Sequence, residues 1–283
     1  PLCESPMSPN PCDFLKAGAA GATALLGLVI LGLSGCLGVD APASPTGTNT
    51  PTVPAKTPPY SGTIFLDPDI ITATDPTTFQ TLTAKGQGVR TMYDRRAGWV
   101  RLDAFLFDVA FSDGFTVEFQ VNPEFGTTSA QAQAEKYAPV IGRLPKSLRT
   151  DVKTVWIHQG VQPFGGGNNN LLIHVGQGDL YINAGILEET FVHEASHTSL
   201  DAAHATSSGW IAAQQSDNRF ISTYARDNPT REDIAESFVL WLAVRYRASR
   251  VSQALIDTTN ATMPRRMQYF DGLNLQILPI PAP

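Results

Sequence analysis

The stretch that decides the fold is "FVHEASHTSLDAAH", residues 191–204. Within it, His193, Glu194 and His197 follow the pattern His-Glu-x-x-His. Positions i and i+4 of a helix share one face, so both imidazoles are able to face one metal ion. Glu194 is placed beside the ligands to accept a proton from a water molecule on that ion and to pass it to a leaving amine. The stretch therefore predicts a helix that carries a metal site.

A third ligand is needed, because catalytic zinc takes three protein ligands and keeps one position open. His204 follows His193 by eleven residues, which on a continuing helix is about 16 Å along the axis and too far for a shared ion. Asp201 follows His197 by one turn and suits a hydrogen bond to the other ring nitrogen of that histidine. We therefore expect His204 to be a bystander and Asp201 to be a supporting residue.

Residues 231–248 predict a second long helix, whose start has a capping box formed by Thr230 and Asp233. Glu232 then lies in the first turn, and Glu236 lies one turn later on the same face. Burying both acids beside the apolar run that follows is costly unless a positive partner meets them. The economical arrangement has Glu232 as the third ligand and Glu236 bonded to a ligand histidine. The opposite assignment, with Glu236 on the metal, and a solvated pair of acids both remain open.

Tyr224 precedes Glu232 by eight residues. A phenol near the metal is able to donate a hydrogen bond to the oxyanion of a tetrahedral intermediate. The alternative is a tyrosine of the core that covers the loop. Tyr224 is therefore a second candidate catalytic residue beside Glu194.

Together these residues resemble the gluzincin metallopeptidases of the anthrax lethal factor type, whose catalytic domain is shared by the Pro-Pro endopeptidases. The resemblance covers roughly residues 128–250. It is carried by the His-Glu-x-x-His motif, by an aspartate four residues after its second histidine, and by Tyr224 followed by "EDIAESF", residues 232–238.

The resemblance implies a zincin-like fold, one zinc ion per chain and peptide hydrolysis. In that family the first acid of a Glu-x-x-x-Glu pair is a zinc ligand and the second supports a histidine, which here gives Glu232 and Glu236. The tyrosine, here Tyr224, assists the transition state, and it lies one residue farther from Glu232 than is usual. The substrate would lie as an added strand on the sheet edge, expected at residues 171–178. On that strand His174 is either a substrate contact or a satisfied strand histidine.

The order of the remaining patterns is strands first and helices afterwards, which predicts an α+β fold. Asp75 before Pro76 predicts a short helix. The glycine run 165–167 lacks the lysine of a phosphate loop and is interpreted as a flexible connection. Runs of aromatic and β-branched residues predict strands, and these cover residues 99–111, 115–125, 152–160, 171–178 and 180–185. The first two are separated by "SDG" and predict a β-hairpin. The helix with the motif covers 186–205.

The first 36 residues are typical of a targeting segment. An apolar run from Leu25 to Leu33 is shorter than the roughly 20 residues of a membrane span. It ends at "LSGC", which resembles a bacterial lipobox with Cys36 as the lipidated residue; the alternative is an uncleaved anchor helix. Residues 37–60 are rich in Pro and Thr and predict an extended tether. We therefore expect an extracytoplasmic protein that is either held at a membrane by this N-terminal anchor or secreted.

Charge and cysteine usage exclude several classes of protein. The net charge is −6 and no basic stripe is present, which argues against a nucleic-acid partner. All three cysteines lie within the first 36 residues, so disulfides and thiolate ligands are not expected in the folded part.

The sequence as a whole predicts a leader (1–36), a tether (37–60), a β-rich N-terminal region (61–127) and a zincin-like catalytic domain (128–283). The expected function is that of a zinc metallopeptidase that cleaves peptides or proteins. The alternative is a lipid-anchored binding or scaffold protein with a structural or inactive zinc site.

Overall fold

The structure is a computed structural model that describes residues 16–17, 56–66, 69–217 and 219–282. The predicted leader, apart from residues 16–17, and the tether as far as residue 55 lie outside the described residues, and so does Cys36. Among the described residues, no helix combines the length and the apolar character needed to cross a bilayer.

One mixed sheet of six strands forms the centre of the described fold. The strands in chain order are β1 (Lys16–Ala17), β2 (Phe65–Leu66), β3 (Phe79–Asp94), β4 (Gly98–Phe111), β5 (Thr116–Val121), β6 (Thr154–His158), β7 (Gly165–Gly167) and β8 (Asn170–His174). The sheet has the order β3-β4-β5-β6-β8-β7, while β1 and β2 form a separate parallel pair. The predicted α+β class is confirmed at this level.

The helices surround this sheet mainly in the C-terminal half of the chain. They are α1 (Thr127–Gly142), α2 (Lys146–Arg149), α3 (Val175–Ala184), α4 (Leu187–Ser199), α5 (Ser208–Ser216), α6 (Thr223–Asp227), α7 (Asp233–Tyr246), α8 (Gln253–Thr262) and α9 (Pro264–Asp271). Short 3₁₀ turns cover Pro123–Phe125 and Ala248–Arg250, and a π-helical turn covers Asp201–Ala205. The two long helices predicted around the motif and around residues 231–248 are therefore present as α4 and α7.

The predicted hairpin is present as β4 and β5, which pair antiparallel. The short helix predicted after Pro76 is wrong, because the chain enters β3 at Phe79 instead. The backbone before β3 already forms other hydrogen bonds, since Thr78 N–H donates to Gly142 O and Thr78 O accepts from Ser112 N–H. The carboxylate of Asp75 does not cap a helix; it accepts from Thr72 N–H and from Arg250.

The strand predicted at residues 180–185 is also wrong, because these residues belong to α3 and to the turn that ends it. The buried residues of α3 are Gln177, Gly178 and Tyr181, which is the spacing of one helix face. Gly185 then ends the helix in the left-handed conformation, as glycine commonly does after a helix.

The sheet and its core join the two parts of the chain on either side of residue 127. Strand β5 pairs in parallel with β6, and β6 pairs in parallel with β8. Phe119 of β5, Ile157 of β6 and Phe191 of α4 are buried in the same hydrophobic cluster. The boundary between the predicted N-terminal region and the predicted catalytic domain thus falls within one sheet and one core.

The edge of the sheet beside α4 is not the strand that the sequence predicts. Residues 165–167, expected to be a flexible connection, form β7 and pair antiparallel with β8. Strand β8, predicted as the edge, therefore lies inside the sheet. A Cβ atom on Gly166 would lie 1.8 Å from Glu194 O, so only glycine lets β7 approach the backbone of α4 this closely. Gly167 N–H is bonded to Thr198 Oγ1 at 2.8 Å, which fixes β7 on α4.

We predict that Gly166→Ala destabilises the protein by about 1–3 kcal/mol, because the added methyl group overlaps backbone that cannot move aside. The matched control is Gly165→Ala, where the nearest atom to a new Cβ is the mobile end of the Arg95 side chain at 3.1 Å. Chemical denaturation of both variants measures the difference. Equal stability of the two variants would contradict the close contact between β7 and α4.

Candidate metal centre

Helix α4 brings the two histidines of the motif together inside the protein. The helix packs against β7 on one side and against α7 on the other. His193 is buried and His197 is nearly so. The Nε2 atoms of His193 and His197 lie 3.2 Å apart. The two imidazoles therefore present one nitrogen each to a common point.

Glu232, at the start of α7, completes a triangle with these two nitrogens. Its Oε2 lies 3.1 Å from His197 Nε2 and 3.3 Å from His193 Nε2. Ligand atoms at about 2.0–2.1 Å from a tetrahedral zinc ion are separated by roughly 3.3 Å. The three edges of the triangle thus match the spacing that one zinc ion requires.

Glu236 and Asp201 face the outer nitrogens of the same two histidines. Asp201 Oδ2 lies 2.9 Å from His197 Nδ1, and Glu236 Oε1 lies 3.5 Å from His193 Nδ1. Carboxylates in these positions orient the rings of metal-binding histidines and favour the tautomer with a free Nε2. The structure therefore brings Glu232 to the triangle and places Glu236 outside it, which is the arrangement that the sequence favoured.

The capping box predicted for Thr230 and Asp233 is wrong. Helix α7 begins after Glu232, and no side chain caps its first turn. The carboxylate of Asp233 is used elsewhere: it accepts from Arg266 at 2.5 Å and from Gln214 at 3.0 Å. A buried arginine of α9 competes for this carboxylate more strongly than a backbone N–H does.

Tyr224 and Glu194 both lie beside the triangle. Burial, together with the charges of Glu232 and Glu194, raises the pKa of the Tyr224 phenol. Glu194 is only partly buried, and its charge also acts on His193 and His197. In the turn between Tyr224 and α7, Glu232 N–H donates to Asn228 O.

The charges of the metal-free site are balanced by protons on the histidines. Burial alone would raise the pKa of Glu232, but hydrogen bonds with His193 and His197 lower it well below its usual value. Burial alone would lower the pKa of His197, but bonds with Asp201 and Glu232 raise it well above the usual value. Burial raises the pKa of Glu236 to about 7. The carboxylates thus hold positive charge at the point where a cation fits.

The remaining histidines lie outside this centre. His204 Nδ1 bonds to the Tyr269 hydroxyl at 2.8 Å, which agrees with its expected place as a bystander. His174 is fully buried in β8, and its Nδ1 bonds to Gln159 O at 2.8 Å. It is therefore not exposed to a substrate. Its other ring nitrogen, Nε2, has no hydrogen-bond partner among the described residues, so His174 is a buried strand histidine that is only partly satisfied.

A second group of acidic and histidine side chains, Asp94, Glu124 and His158, also has ligand atoms close together. The guanidinium of Arg96 already lies between the two acids, at 2.7 Å from Asp94 and 2.6 Å from Glu124. Asn122 Nδ2 is bonded to His158 Nδ1 at 3.0 Å, and burial lowers the pKa of His158 to about 4. The positive charge of this group is supplied by Arg96, and we assign no metal to it.

Sequence reasoning missed two parts of the site. Glu189 is buried on α4, four residues before His193 and on the same face. A glutamate inside the apolar stretch before the motif is a signal that could have found it. The second part is formed by the described residues 60–66 and 69–71, which reach the site through backbone N–H groups and therefore leave no mark in the residue types.

Comparison with known proteins adds no relative: no profile of a known family, no curated protein and no solved structure matches this chain. The class of the site is then indicated by its donor set. Two imidazoles and one carboxylate around an accessible point are typical of catalytic zinc, whereas magnesium and calcium prefer sites built from oxygen alone.

We predict that Glu232→Ala weakens zinc binding by more than about 100-fold, because it removes a direct ligand, whereas Glu236→Gln weakens it by about 10–100-fold as a supporting change. Competition against a chelator of known affinity measures both dissociation constants. A larger loss in Glu236→Gln than in Glu232→Ala would reverse the assignment of the two acids.

The stability of the metal-free protein is expected to fall as the pH rises above 6.5. His193 and His197 have pKa values raised above 6.5 in the folded state, so their contribution is complete below pH 6.5 and is lost as the pH rises through the raised values. Zinc needs neutral imidazoles, so its stabilising effect grows over the same range. Thermal unfolding with and without zinc from pH 6 to 8.5 should show a widening gap; a constant gap would contradict this.

Proposed function

We propose that this chain is a zinc-dependent endopeptidase that hydrolyses peptide bonds. The observation that carries the proposal is the triangle formed by His193, His197 and Glu232, with Glu194 beside it on the same helix. Metal-assisted amide hydrolysis requires a bound metal and a general base. One turn of α4 supplies two ligands and the base, and the start of α7 supplies the third ligand.

Each residue around the triangle has a distinct part in this chemistry. A zinc ion held there would polarise the substrate carbonyl and lower the pKa of water in the open position. Glu194 accepts the proton of the attacking water and returns it to the leaving nitrogen. Tyr224, whose phenol has a pKa raised by burial and by the charge of Glu232, would donate its hydroxyl hydrogen to the oxyanion in the transition state. Asp201 and Glu236 hold the two imidazoles in place.

The edge of the sheet supports a peptide as the substrate. Strand β7 ends the sheet on the side of α4, and its three residues are glycines, so it has no side chains of its own to cover its backbone. One of its N–H groups, that of Gly167, is already bonded to Thr198 Oγ1. An extended peptide is able to add to such an edge through main-chain hydrogen bonds. Because an edge strand receives the backbone of any extended segment, internal peptide bonds suit it as well as terminal ones.

The same proposal includes a zincin-like fold and an extracytoplasmic location. Two features support the fold. A helix with His-Glu-x-x-His lies beside the edge of a mixed sheet, and a later helix supplies the third ligand. The lipobox-like end at Cys36 and the Pro/Thr-rich stretch after it support tethering at a membrane.

We predict that Glu194→Gln lowers peptide hydrolysis by about 10²–10⁴-fold, because the proton acceptor is lost, while one zinc ion per chain remains bound. The measurements are cleavage of a diverse peptide library, followed by mass spectrometry, and zinc content. The matched control is Glu188→Gln, a glutamate of the same helix whose side chain is mostly buried and faces Arg143 at 3.6 Å. Its activity should stay within about twofold of the unaltered protein, because Glu188 is neither one of the three ligands nor one of the residues that support them.

If the unaltered protein holds zinc but cleaves no member of the library, the peptidase proposal is wrong. In that case a binding or scaffold protein with an inactive zinc site becomes the better description. If it holds no zinc, the metal centre itself is wrong.

A further inference from the structure

A segment that precedes the sheet lies against the metal centre, although it is more than a hundred residues away in the sequence. We call the described residues 60–66 and 69–71 the strap. Its apolar side chains are buried in the main core, and these are Ile64, Phe65, Leu66, Ile70 and Ile71. The strap is therefore part of the folded domain and not part of the exposed approach to it.

The first contact of the strap is with the residues before Tyr224. Tyr60 forms a parallel bridge with Ser222, and Thr223 N–H donates to Tyr60 O at 3.0 Å. Gly62 N–H donates to Thr223 Oγ1 at 2.8 Å. The start of helix α6, and with it the position of the Tyr224 backbone, is fixed by the strap.

The second contact is with the carboxylate that faces His193. Ile64 N–H donates to Glu236 Oε2 at 3.1 Å, and Ser222 Oγ–H donates to the same oxygen at 2.8 Å. The other oxygen, Oε1, lies 3.5 Å from His193 Nδ1. One side of the Glu236 carboxylate is thus held by the strap and its neighbour while the other side faces the ligand ring.

The third contact is with the glutamate one turn before His193. Leu66 N–H donates to Glu189 Oε2 at 2.7 Å, and Ile70 N–H donates to Glu189 Oε1 at 3.0 Å. Glu189 is 1 % exposed, and both of its oxygens accept from strap backbone. The strap therefore holds the part of α4 that leads into the metal-binding turn.

Three backbone donors of the strap reach three different elements. The N–H groups of residues 62, 64 and 66 donate to acceptors on α6, α7 and α4 respectively. The chain bends at residues 62 and 63, and Gly62 has a φ of 72°, so the strap is not one regular strand. Its backbone thus joins the three elements that carry Tyr224, Glu232 and the two histidines.

We propose that the strap is a positioning segment of the metal centre, which sets the affinity of the site for zinc. This inference rests on the proposed metal centre. A buried carboxylate that loses its donors is unfavourable, so without the strap Glu189 and Glu236 turn toward other donors and no longer fix α4 and the ring of His193. By linkage, whatever the strap adds to zinc affinity, bound zinc adds to the stability of the strap.

Hydrogen exchange of the unaltered full chain tests this linkage. Zinc is added to the metal-free protein, and exchange is followed in peptides that cover residues 60–71 and, as the control, residues 85–104 of the β3–β4 hairpin. We expect zinc to slow exchange of the strap amides by about tenfold or more, as a coupling of typical size would do, and to leave the hairpin unchanged. If zinc binds and the strap amides exchange at the same rate as before, the strap has only a structural role.

A pair of variants tests the same coupling by changing a contact of the strap and measuring the affinity for zinc. Glu189→Gln keeps the size of the side chain but sets an NH₂ group against a strap N–H, and Glu189 is not one of the three ligands. The matched control is Leu106→Ala, a buried change in the separate small cluster of Met92, Ala104 and Leu106. We expect Glu189→Gln to raise the zinc dissociation constant by about tenfold, in the range for supporting residues, and Leu106→Ala to change it by less than about twofold although it also lowers stability.

The outcomes separate the two proposals, because none of these measurements uses peptide hydrolysis. An unchanged dissociation constant in Glu189→Gln would overturn the role of the strap and leave the metal centre intact. A failure of the unaltered protein to bind zinc would overturn the metal centre and the strap together.

Discussion

The structure around the site depends on the burial of carboxylates between α4 and α7. Glu189, Glu232 and Glu236 are all nearly inaccessible to solvent, and buried charge is tolerated only where it is paired and hydrogen-bonded. Glu232 meets two imidazoles, Glu236 meets one imidazole and a backbone N–H, and Glu189 meets two backbone N–H groups. The strap and the helices around α4 and α7 therefore lie where their donors form hydrogen bonds with these acids.

The sheet contributes to the same arrangement from the opposite side of α4. Gly166 lets β7 lie directly on the backbone carbonyl of Glu194, and the Thr198 hydroxyl bonds to Gly167 N–H and to Asn170 O. The motif helix is thus fixed between a glycine strand and the acids of α7. This position leaves Glu194 partly accessible while the two histidines are largely covered, which is compatible with the role of proton acceptor that we propose for it.

Sequence patterns predicted the parts of the fold that depend on local spacing. The i, i+4 histidines lie on one face of α4, and the hairpin on either side of residues 112–114 is present. The failures occurred where a distant partner outweighed a local preference. Asp233 pairs with Arg266 instead of capping α7. The glycines 165–167 become a strand because β8 pairs with them, and residues 180–185 close a helix instead of forming a strand.

The sequence by itself determined which residues are able to bind a metal, because imidazole and carboxylate chemistry and the helical repeat are properties of residue type and spacing. It favoured Glu232 over Glu236 as the third ligand but left the opposite assignment open, since spacing alone does not order two acids on one helix face. Only the tertiary structure placed Glu232 at the two Nε2 atoms and Glu236 behind His193. It also brought in the strap, whose backbone N–H groups are the same in every residue except proline and therefore carry no signal in the sequence.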